Sequence, residues 1–188
     1  MAQLLQRGAT YDDLCAVTEE FIAEIIDGDL YASRHLRPSH SHGAKHILAK
    51  LDAAFDNDWW IFWAVEVHVG GDVLVPNIVA FRRRRFPIFP DVPYFTEAPD
   101  WIVEVIDRGT VRLDRFLKMP KYAAAGVEHA WLLDPNNRAL EVYRRAGNRF
   151  ELQQMFDETD DIVRAEPFDA IEFPLSSLWL PTAPDPRN

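Results

Sequence analysis

The fold of this chain is decided by residues 98–135, which read APDWIVEVIDRGTVRLDRFLKMPKYAAAGVEHAWLLDP. Trp101–Ile106 is a short and mostly apolar run, and His129–Leu133 is a second apolar run that ends at an Asp-Pro pair. Val111–Ala125 between them has helical character, and Gly126 is a natural helix stop. The pattern predicts a strand, a helix and a strand, with the helix crossing over from one strand to the next.

Further elements on both sides of this block indicate a mixed sheet. Asp-Gly and Gly-Gly turns between apolar runs are typical of hairpins. Apolar residues at helical spacing after Ser39 or Ser41 predict a helix that runs through Phe55. The order predicts an α/β fold, a mixed sheet flanked by helices with extra strands near the C-terminus. The other predicted elements are a short helix at Tyr11–Val17 begun by Thr10 and Asp13, a hairpin at Ile25–Tyr31, strands at Ile61–Val69 and Val73–Phe81 around Gly70-Gly71-Asp72, and a hairpin of Leu140–Arg144 with Phe150–Met155.

The charge of the chain is unevenly distributed. Its 188 residues are 48% apolar, which predicts one globular domain, and 30 Asp and Glu against 20 Lys and Arg give a net charge of −10. Residues 151–188 hold nine acids and two bases, so −7 lies there and −3 in the first 150 residues. The acidity disfavours coating of nucleic acid through bulk charge but allows a local site. The basic run Arg82–Arg85 (Arg82, Arg83, Arg84, Arg85) is the candidate for phosphate contacts.

A membrane or secreted protein is not expected. The longest apolar stretch, Trp59–Val67, is interrupted by Glu66 and falls far below the ~18 residues of a membrane span. The first 15 residues have neither a cationic flank before an apolar region nor a small-residue cleavage site. Cys15 is the single cysteine, so no internal disulfide can form. We therefore expect a cytoplasmic protein with no membrane partner.

The acid inside the first strand of the block is the most informative side chain. Glu104 sits within WIVEVI, and burying an unpaired carboxylate is costly, so it needs a metal, a cation or hydrogen-bond donors. The alternative is an edge strand on which Glu104 faces water. Glu66, within WAVEVH, poses the same question, and His68 shares its face.

The following helix could supply the cation. Asp114, Lys118 and Tyr122 are spaced i, i+4 and i+8, so they line one helix face. Taken alone, Asp114 and Lys118 are a surface ion pair, but next to a buried Glu104 the lysine could position an attacking water and offset phosphate charge. There is no Gly-rich phosphate loop or nucleophile elbow, so nucleotide hydrolysis and serine hydrolysis lack a starting point.

These stretches resemble a known family. Residues 98–105, 114–123 and 126–135 are similar to the Uma-type putative restriction endonuclease family, bacterial proteins of the PD-(D/E)XK nuclease superfamily. The likeness covers most of residues 10–156 and leaves an acidic extension at 157–188. It also includes AEIIDGDL at 23–30, His42 and VLVPN at 73–77.

The resemblance implies a restriction-endonuclease-like core that binds Mg²⁺ or Mn²⁺, acts on DNA phosphodiesters and forms a homodimer. In the family pattern one metal ligand is the Asp of a Pro-Asp pair, and the other is the strand acid matched by Glu104. Position 106 is Ile, so the resemblance assigns the catalytic lysine to Lys118 on the next helix. Glu24 and Glu66 match acids that family members keep near the site. Asp114 and Tyr122 are supporting residues.

Two departures from the family pattern fall at the expected site. The Pro-Asp pair is Pro76-Asn77, and an amide oxygen binds a hard cation more weakly than a carboxylate. The family's Ser-Pro-Ser-Thr after the strand acid is Asp107-Arg108-Gly109-Thr110, which alters the loop beside Glu104. Two interpretations follow. In the first, the chain is a weakened endonuclease with metal at Glu104, Asn77 and Glu66. In the second, it is a catalytically inactive binding or dimerisation module.

Overall fold

A computed structural model describes residues 2–35, 37–55 and 57–181. It confirms a mixed α/β fold with three sheets and few helices. The helices are α1 (Tyr11–Cys15), α2 (Pro38–Phe55) and α3 (Met119–Ala125), with a π-helical segment at Leu113–Lys118 and a 3₁₀ turn at Leu175–Leu178. The strands are β1 (Gln3–Arg7), β2 (Phe21–Ile26), β3 (Asp29–Arg34), β4 (Trp59–Trp63), β5 (Val67–Val69), β6 (Asp72–Leu74), β7 (Ile78–Arg82), β8 (Trp101–Val105), β9 (His129–Asp134), β10 (Ala139–Ala146), β11 (Arg149–Phe156), β12 (Ile162–Val163) and β13 (Phe173–Pro174).

The large sheet is built around the predicted crossover. Its strand order is β11-β10-β9-β8-β7-β4, in which β8 and β9 are parallel and the other neighbours are antiparallel. Between β8 and β9 the chain passes through the π-helical segment and α3. Gly126 ends α3 with φ 102°, a left-handed conformation that glycine adopts without strain. Because β8 has a neighbour on each side, it is an inner strand of the sheet.

The small sheet has the order β1-β3-β2-β6-β5. The predicted hairpin around Asp27-Gly28 joins β2 to β3, and both turn residues have positive φ, as a tight two-residue turn requires. The edge strand β1 was not expected from the sequence. The C-terminal pair β12 and β13 forms a third, two-stranded sheet, while the predicted extra strands at 140–155 are β10 and β11 of the large sheet.

The hairpin predicted around Gly70-Gly71-Asp72 is confirmed, since β5 and β6 pair antiparallel across it, but the two long strands predicted beside it were wrong. Each stretch is broken into two short strands: β4 and β7 pair in the large sheet, while β5 and β6 pair in the small sheet. One break is at Ala64, which has φ 46°, and the other is at Pro76, which has no N–H to donate to a ladder. The breaks let the chain pass from one sheet to the other, and Asn77 lies at this crossing.

The helices differ from the predicted ones mainly at their ends. Thr10 and Asp13 form the expected capping box at the start of α1, which ends two residues before the predicted Val17. Helix α2 begins at Pro38 rather than after Ser39 or Ser41, and proline at a helix start loses no intrahelical hydrogen bond. The predicted continuous helix 111–125 instead contains the π-helical segment ahead of Pro120.

The main core lies between the large sheet and helix α2. Ala44, Ile47 and Leu51 of α2 are fully buried against tryptophans of the sheet. The acidic C-terminal extension, as far as residue 181, covers this core, and Phe168 packs against Trp101 with ring centroids 4.9 Å apart. The acidic C-terminal extension is therefore part of the domain, because its apolar side chains belong to the core. Within the described ranges, no helix is both long and apolar enough to cross a membrane.

Candidate active site

The two acids closest to the predicted lysine come from different sheets. Glu104 on the inner strand β8 is only 2% exposed, so the alternative of a water-facing edge strand is wrong. Glu24 on β2 is 3% exposed. Lys118, the last residue of the π-helical segment, is 2% exposed and reaches both acids. The structure therefore brings a strand acid of each sheet to one buried lysine.

Lys118 is held by three oxygen atoms. Its Nζ lies 2.7 Å from Glu24 Oε1 and 2.8 Å from Glu104 Oε1, and it donates a hydrogen bond to the carbonyl of Val75 at 3.3 Å. Asp114 Oδ1 is 4.0 Å away. The Val75 N–H also donates to Glu24 Oε1 at 2.7 Å, which fixes that carboxylate from the strand side. The lysine is therefore a buried cation paired with acids, and a charged group that is removed from water needs such partners.

The predicted helix face of Asp114, Lys118 and Tyr122 is present, and it lies against Glu104. The Tyr122 hydroxyl donates a 2.6 Å hydrogen bond to Glu104 Oε1, and both groups are buried. Asp114, Lys118 and Tyr122 thus all point toward Glu104. The π-helical backbone continues directly into α3 through Met119, whose N–H donates to the carbonyl of Asp114. Irregular helical turns of this kind are frequent at functional sites.

Burial and mutual repulsion shift the protonation of this cluster. Burial, with the nearby charges of Asp114 and Glu24, raises the pKa of Glu104 to about 8 despite the opposing ammonium group. Burial likewise raises the pKa of Asp114 to about 6. Burial acts to lower the pKa of Lys118, but Glu104, Glu24 and Asp114 together raise it above its ordinary value. The lysine therefore keeps its proton, and protons in this cluster move on and off the carboxyl groups.

Asn77 lies beside the cluster with its oxygen already in use. Asn77 Oδ1 accepts a 2.6 Å hydrogen bond from the Val105 N–H, one residue after Glu104. A backbone N–H must donate to an oxygen, so this bond sets the orientation of the amide. The remaining group of the amide is an NH₂, which is a donor and offers no lone pair to a cation. An aspartate here would keep the bond to Val105 and present a second oxygen.

Glu24, Asn77, Glu104, Asp114 and Lys118 line one cavity of about 140 Å³. When all three carboxyl groups are ionised, they leave a formal charge of −2 against one ammonium group, and hard oxygen donors suit Mg²⁺ or Mn²⁺. The donor chemistry thus fits a divalent cation, though weakly, because the lysine lies between the two glutamates and Asn77 turns its NH₂ group outward. Among the residues that the structure describes, no three His, Cys, Asp or Glu side chains are arranged to hold a metal ion.

Glu66 is not part of this group. It precedes β5, and its Oε2 accepts a 3.0 Å hydrogen bond from the Tyr11 hydroxyl and lies 3.0 Å from His68 Nε2. Glu66 and His68 do share a face as predicted, and Tyr94 stacks on His68 with ring centroids 3.8 Å apart. None of these residues lines the cavity at Glu104. Of the two family-matched acids, the structure brings Glu24 to the lysine and leaves Glu66 in a separate cluster.

The arginine run lies at the opposite end of β7 from Asn77. The strand has five residues, which places Arg82 about 17 Å from the cavity at about 3.3 Å per residue. The Arg82 guanidinium lies 4.3 Å from the centre of the Trp59 ring, and that of Arg83 lies 3.5 Å from the Trp60 ring. Arg85 pairs with Asp100 at 2.8 Å, and Arg84 is exposed. Arg82, Arg83 and Arg84 line a different surface hollow.

The cavity has a mouth that sequence reasoning missed. Arg34 at the end of β3, together with His35 and Arg37 ahead of α2, lines it beside Asp107. A signal was present: residues 30–51 contain no Asp or Glu in a chain that has 30 of them. The same 22 residues hold four of the six histidines and four basic residues. The basic residues of this stretch are scattered rather than consecutive, so they were less visible than the run Arg82–Arg85.

Comparisons with known proteins identify the family and the fold. Residues 9–176 match the Uma2 family, described as "Putative restriction endonuclease". The match spans most of the chain, and the chain belongs to this family. A comparison with curated proteins finds no match. Among solved structures, a similar chain is the crystal structure of a "putative nuclease belonging to DUF820" from Anabaena variabilis ATCC 29413.

That structure is similar in fold over nearly its full length. The TM-score is 0.74 with 22% sequence identity, and the alignment covers 90% of this chain and 97% of the other. At this identity the likeness establishes the shared fold. The family membership and the fold together identify a nuclease-like protein, and the predicted resemblance is confirmed.

Proposed function

We propose that this protein is a nuclease that hydrolyses DNA phosphodiesters with the help of Mg²⁺ or Mn²⁺, and that Asn77 weakens it. The observation that carries the proposal is the buried Lys118, 2.7 Å from Glu24 and 2.8 Å from Glu104 at the floor of a small cavity. A buried cation at the cavity floor can offset part of the negative charge that grows on the phosphate during attack.

Each residue of the cluster has a separate task in this proposal. Lys118 keeps its proton, because three carboxylates raise its pKa, so its positive charge offsets charge on a phosphate group near the cavity floor while its three N–H groups face Glu24, Glu104 and the Val75 carbonyl. Tyr122 holds Glu104 through its 2.6 Å hydrogen bond. Glu24 and the Val75 carbonyl keep the ammonium group from turning away from the cavity.

Glu104 and the side chain at position 77 would hold the metal. A bound divalent cation would lower the pKa of a water ligand and stabilise charge on the phosphate. Asn77 offers one oxygen that already accepts from Val105 at 2.6 Å and brings no charge of its own. Weak metal affinity follows, because hard cations favour carboxylates over amides.

The second candidate is a catalytically inactive member that serves as a binding or dimerisation module. The orientation of Asn77 favours it, since the NH₂ group occupies the position where an aspartate would place a ligand oxygen. Both candidates keep the same fold, so a gain-of-function substitution separates them. The cytoplasmic location and the homodimer stay predictions from the sequence.

The experiment is a plasmid-nicking assay in Mg²⁺ and in Mn²⁺ on supercoiled, linear and single-stranded DNA. We expect Asn77→Asp to raise the Mn²⁺-dependent rate about tenfold or more, since one lost metal or charge contact is worth over 1.4 kcal/mol. Glu104→Gln in either background should abolish cleavage. Asn148→Asp adds the same charge at an exposed turn and should leave the rate unchanged.

If neither the wild type nor Asn77→Asp cleaves any of these DNA forms in either metal, the nuclease proposal is wrong and the inactive module is supported. Cleavage that survives Glu104→Gln would place the chemistry elsewhere in the molecule. Circular dichroism of each variant checks that the fold is intact.

A further inference from the structure

We propose that Arg34 and Arg37, at the mouth of the cavity, contact the phosphate groups of a nucleic-acid strand, and that the arginine run at 82–85 does not. This inference rests on the proposed function, because it names how that site receives its substrate. The two arginines flank the entrance to the cavity whose floor holds Lys118. Both arginines are exposed, and the side chain of Arg37 is 71% accessible to solvent.

The size of the cavity requires contacts outside it. The cavity has a volume of about 140 Å³ and opens to solvent. Such a space admits a phosphate group but cannot enclose the several nucleotides of a bound strand. The sugars, bases and neighbouring phosphates of a substrate strand must therefore lie against the mouth. The side chains at the mouth then decide whether the strand is held.

The charges around the cavity also call for cations at its mouth. The floor has three carboxyl groups, Glu24, Glu104 and Asp114, against a single lysine, so it repels an approaching phosphate. Arg34 and Arg37 lie in the stretch 30–51, which contains no acid. Helix α2 starts directly after Arg37, and the positive end of its dipole adds to the same field. Attraction at the mouth thus offsets repulsion from the floor.

Arg37 is oriented by the loop that follows Glu104. Its Nε atom lies 3.3 Å from Asp107 Oδ2. The Asp107 carboxylate also accepts from the Gly109 N–H at 3.3 Å, and the Asp107 N–H donates to Thr110 Oγ1 at 3.2 Å. Beside this ion pair the Arg37 side chain stays 71% exposed, so its guanidinium is accessible to a phosphate group. Asp107 therefore orients this guanidinium without covering its outer edge.

The other basic surface fits this task less well. Arg82 stacks on Trp59, and Arg85 pairs with the buried Asp100 while donating to the Ala98 carbonyl. These contacts tie the run to its own loop, about 17 Å along β7 from the cavity. A phosphate held by the run would lie about 17 Å from the cavity, so the run cannot hold the phosphate group that enters it.

The test is the binding of a fluorescein-labelled DNA duplex, measured by fluorescence anisotropy in EDTA over a series of salt concentrations. The variant is Arg34→Ala/Arg37→Ala. Two control variants remove the same charge elsewhere: Arg149→Ala/Arg164→Ala takes away exposed arginines that pair with Glu151 and Glu172, and Arg84→Ala/Arg85→Ala removes half of the arginine run. The plasmid assay is run in parallel on every variant.

We expect Arg34→Ala/Arg37→Ala to weaken binding about tenfold and to reduce the slope of log K against log salt by about 2, near 0.9 per lost phosphate contact. Both control variants should keep the wild-type slope. If the Arg34/Arg37 variant matches Arg149→Ala/Arg164→Ala, or if Arg84→Ala/Arg85→Ala shows the larger loss, the inference is wrong. A wild-type protein that binds no DNA at any salt also overturns it.

The outcomes separate this inference from the proposed function. Cleavage by the parent or by Asn77→Asp with an unchanged KM in the Arg34/Arg37 background would keep the nuclease and reject the role of the two arginines. Salt-dependent binding that is lost in that background, with no cleavage in any metal, would keep the binding surface and reject the nuclease.

Discussion

Replacing Lys118 with methionine tests whether the cavity floor is a buried ion cluster. Methionine keeps the aliphatic length of the lysine but removes the ammonium group that lies 2.7 Å from Glu24 and 2.8 Å from Glu104. The matched control is Lys121→Met, three residues further along. Lys121 also pairs with two acids, Asp27 and Asp72, but its side chain is 26% exposed against 3% for Lys118.

The expected loss follows from proton uptake. Without the ammonium group one more carboxyl group of the cluster must become neutral, because the floor is buried and the other cations that line the cavity, Arg34 and Arg37, lie at its exposed mouth. A glutamate has an ordinary pKa of 4.5. Neutralising it at pH 7 therefore costs about 3 kcal/mol, at about 1.4 kcal/mol per pH unit. At pH 5 the same step costs under about 1 kcal/mol.

The sign of the pH dependence is set by the raised pKa. A carboxyl group that is neutral in the folded state supports folding fully below its unfolded pKa, and this support is lost as pH rises toward the folded pKa. Lys118→Met should thus be nearly as stable as the wild type at pH 5 and fall progressively behind it up to pH 8. At pH 7 the loss corresponds to a Tm lower by about 6–12 °C for a chain of this size.

The assay is urea unfolding followed by tryptophan fluorescence, in EDTA, at pH 5, 6, 7 and 8. Lys121→Met should lose less than Lys118→Met at pH 7, because its partner Asp27 is exposed and its partner Asp72 keeps a hydrogen bond from the Asp27 N–H. Equal losses for the two lysine variants at pH 7, or a loss for Lys118→Met that does not change with pH, would refute the ion cluster. The three carboxyl groups would then be hydrated or protonated in the wild type.

Two further predictions test the packing of the C-terminal segment and the second ion pair of the helix. Gly43→Ala should lower the free energy of unfolding by about 1–2 kcal/mol, although alanine has the better helix propensity, because the added Cβ would lie 2.7 Å from Leu133 Cδ2 and 2.9 Å from the Leu178 carbonyl. A higher free energy of unfolding for this variant in urea would mean that Leu178 does not pack on α2. Glu141→Gln should cost about 2 kcal/mol near neutrality, because Arg115 donates two hydrogen bonds to Glu141 at 2.5 and 2.6 Å. Burial acts to raise the pKa of Glu141, but the hydrogen bonds from Arg115 and Tyr143 lower it. The stabilisation by this ion pair is therefore present above about pH 4.5 and disappears as pH falls further. A difference in stability between Glu141→Gln and the wild type that persists at pH 3 would contradict this prediction.

The sequence pattern predicted those helices and strands that depend only on residues close together along the chain. The strand, helix and strand of residues 98–135 could be located because their apolar spacing and the terminal Gly126 act within a few residues. The same reasoning failed at Val67–Leu74, where two short strands join the other sheet. Periodicity cannot tell which sheet an extended segment joins, because that depends on partners far along the chain.

The candidate site divides in the same way. The helix face of Asp114, Lys118 and Tyr122 was readable from spacing alone. The choice between Glu24 and Glu66 was not, because both matched the family equally well in sequence. Only the pairing of β2 with β6 and the passage of the chain at Pro76 carry Glu24 to the lysine, 94 residues away.

What the sequence determined by itself is the chemistry available: a strand acid, a helical lysine and an amide where the family has an aspartate. These are properties of single residues and of short-range spacing. What only the tertiary structure decided is which charges lose water. Strand order made β8 an inner strand and buried Glu104, and that burial raises the pKa of Glu104 to about 8. The meeting of β3, α2 and the loop at Asp107 placed Arg34 and Arg37 at the mouth of the cavity. Desolvation and charge proximity depend on three-dimensional neighbours, so no local pattern could specify them.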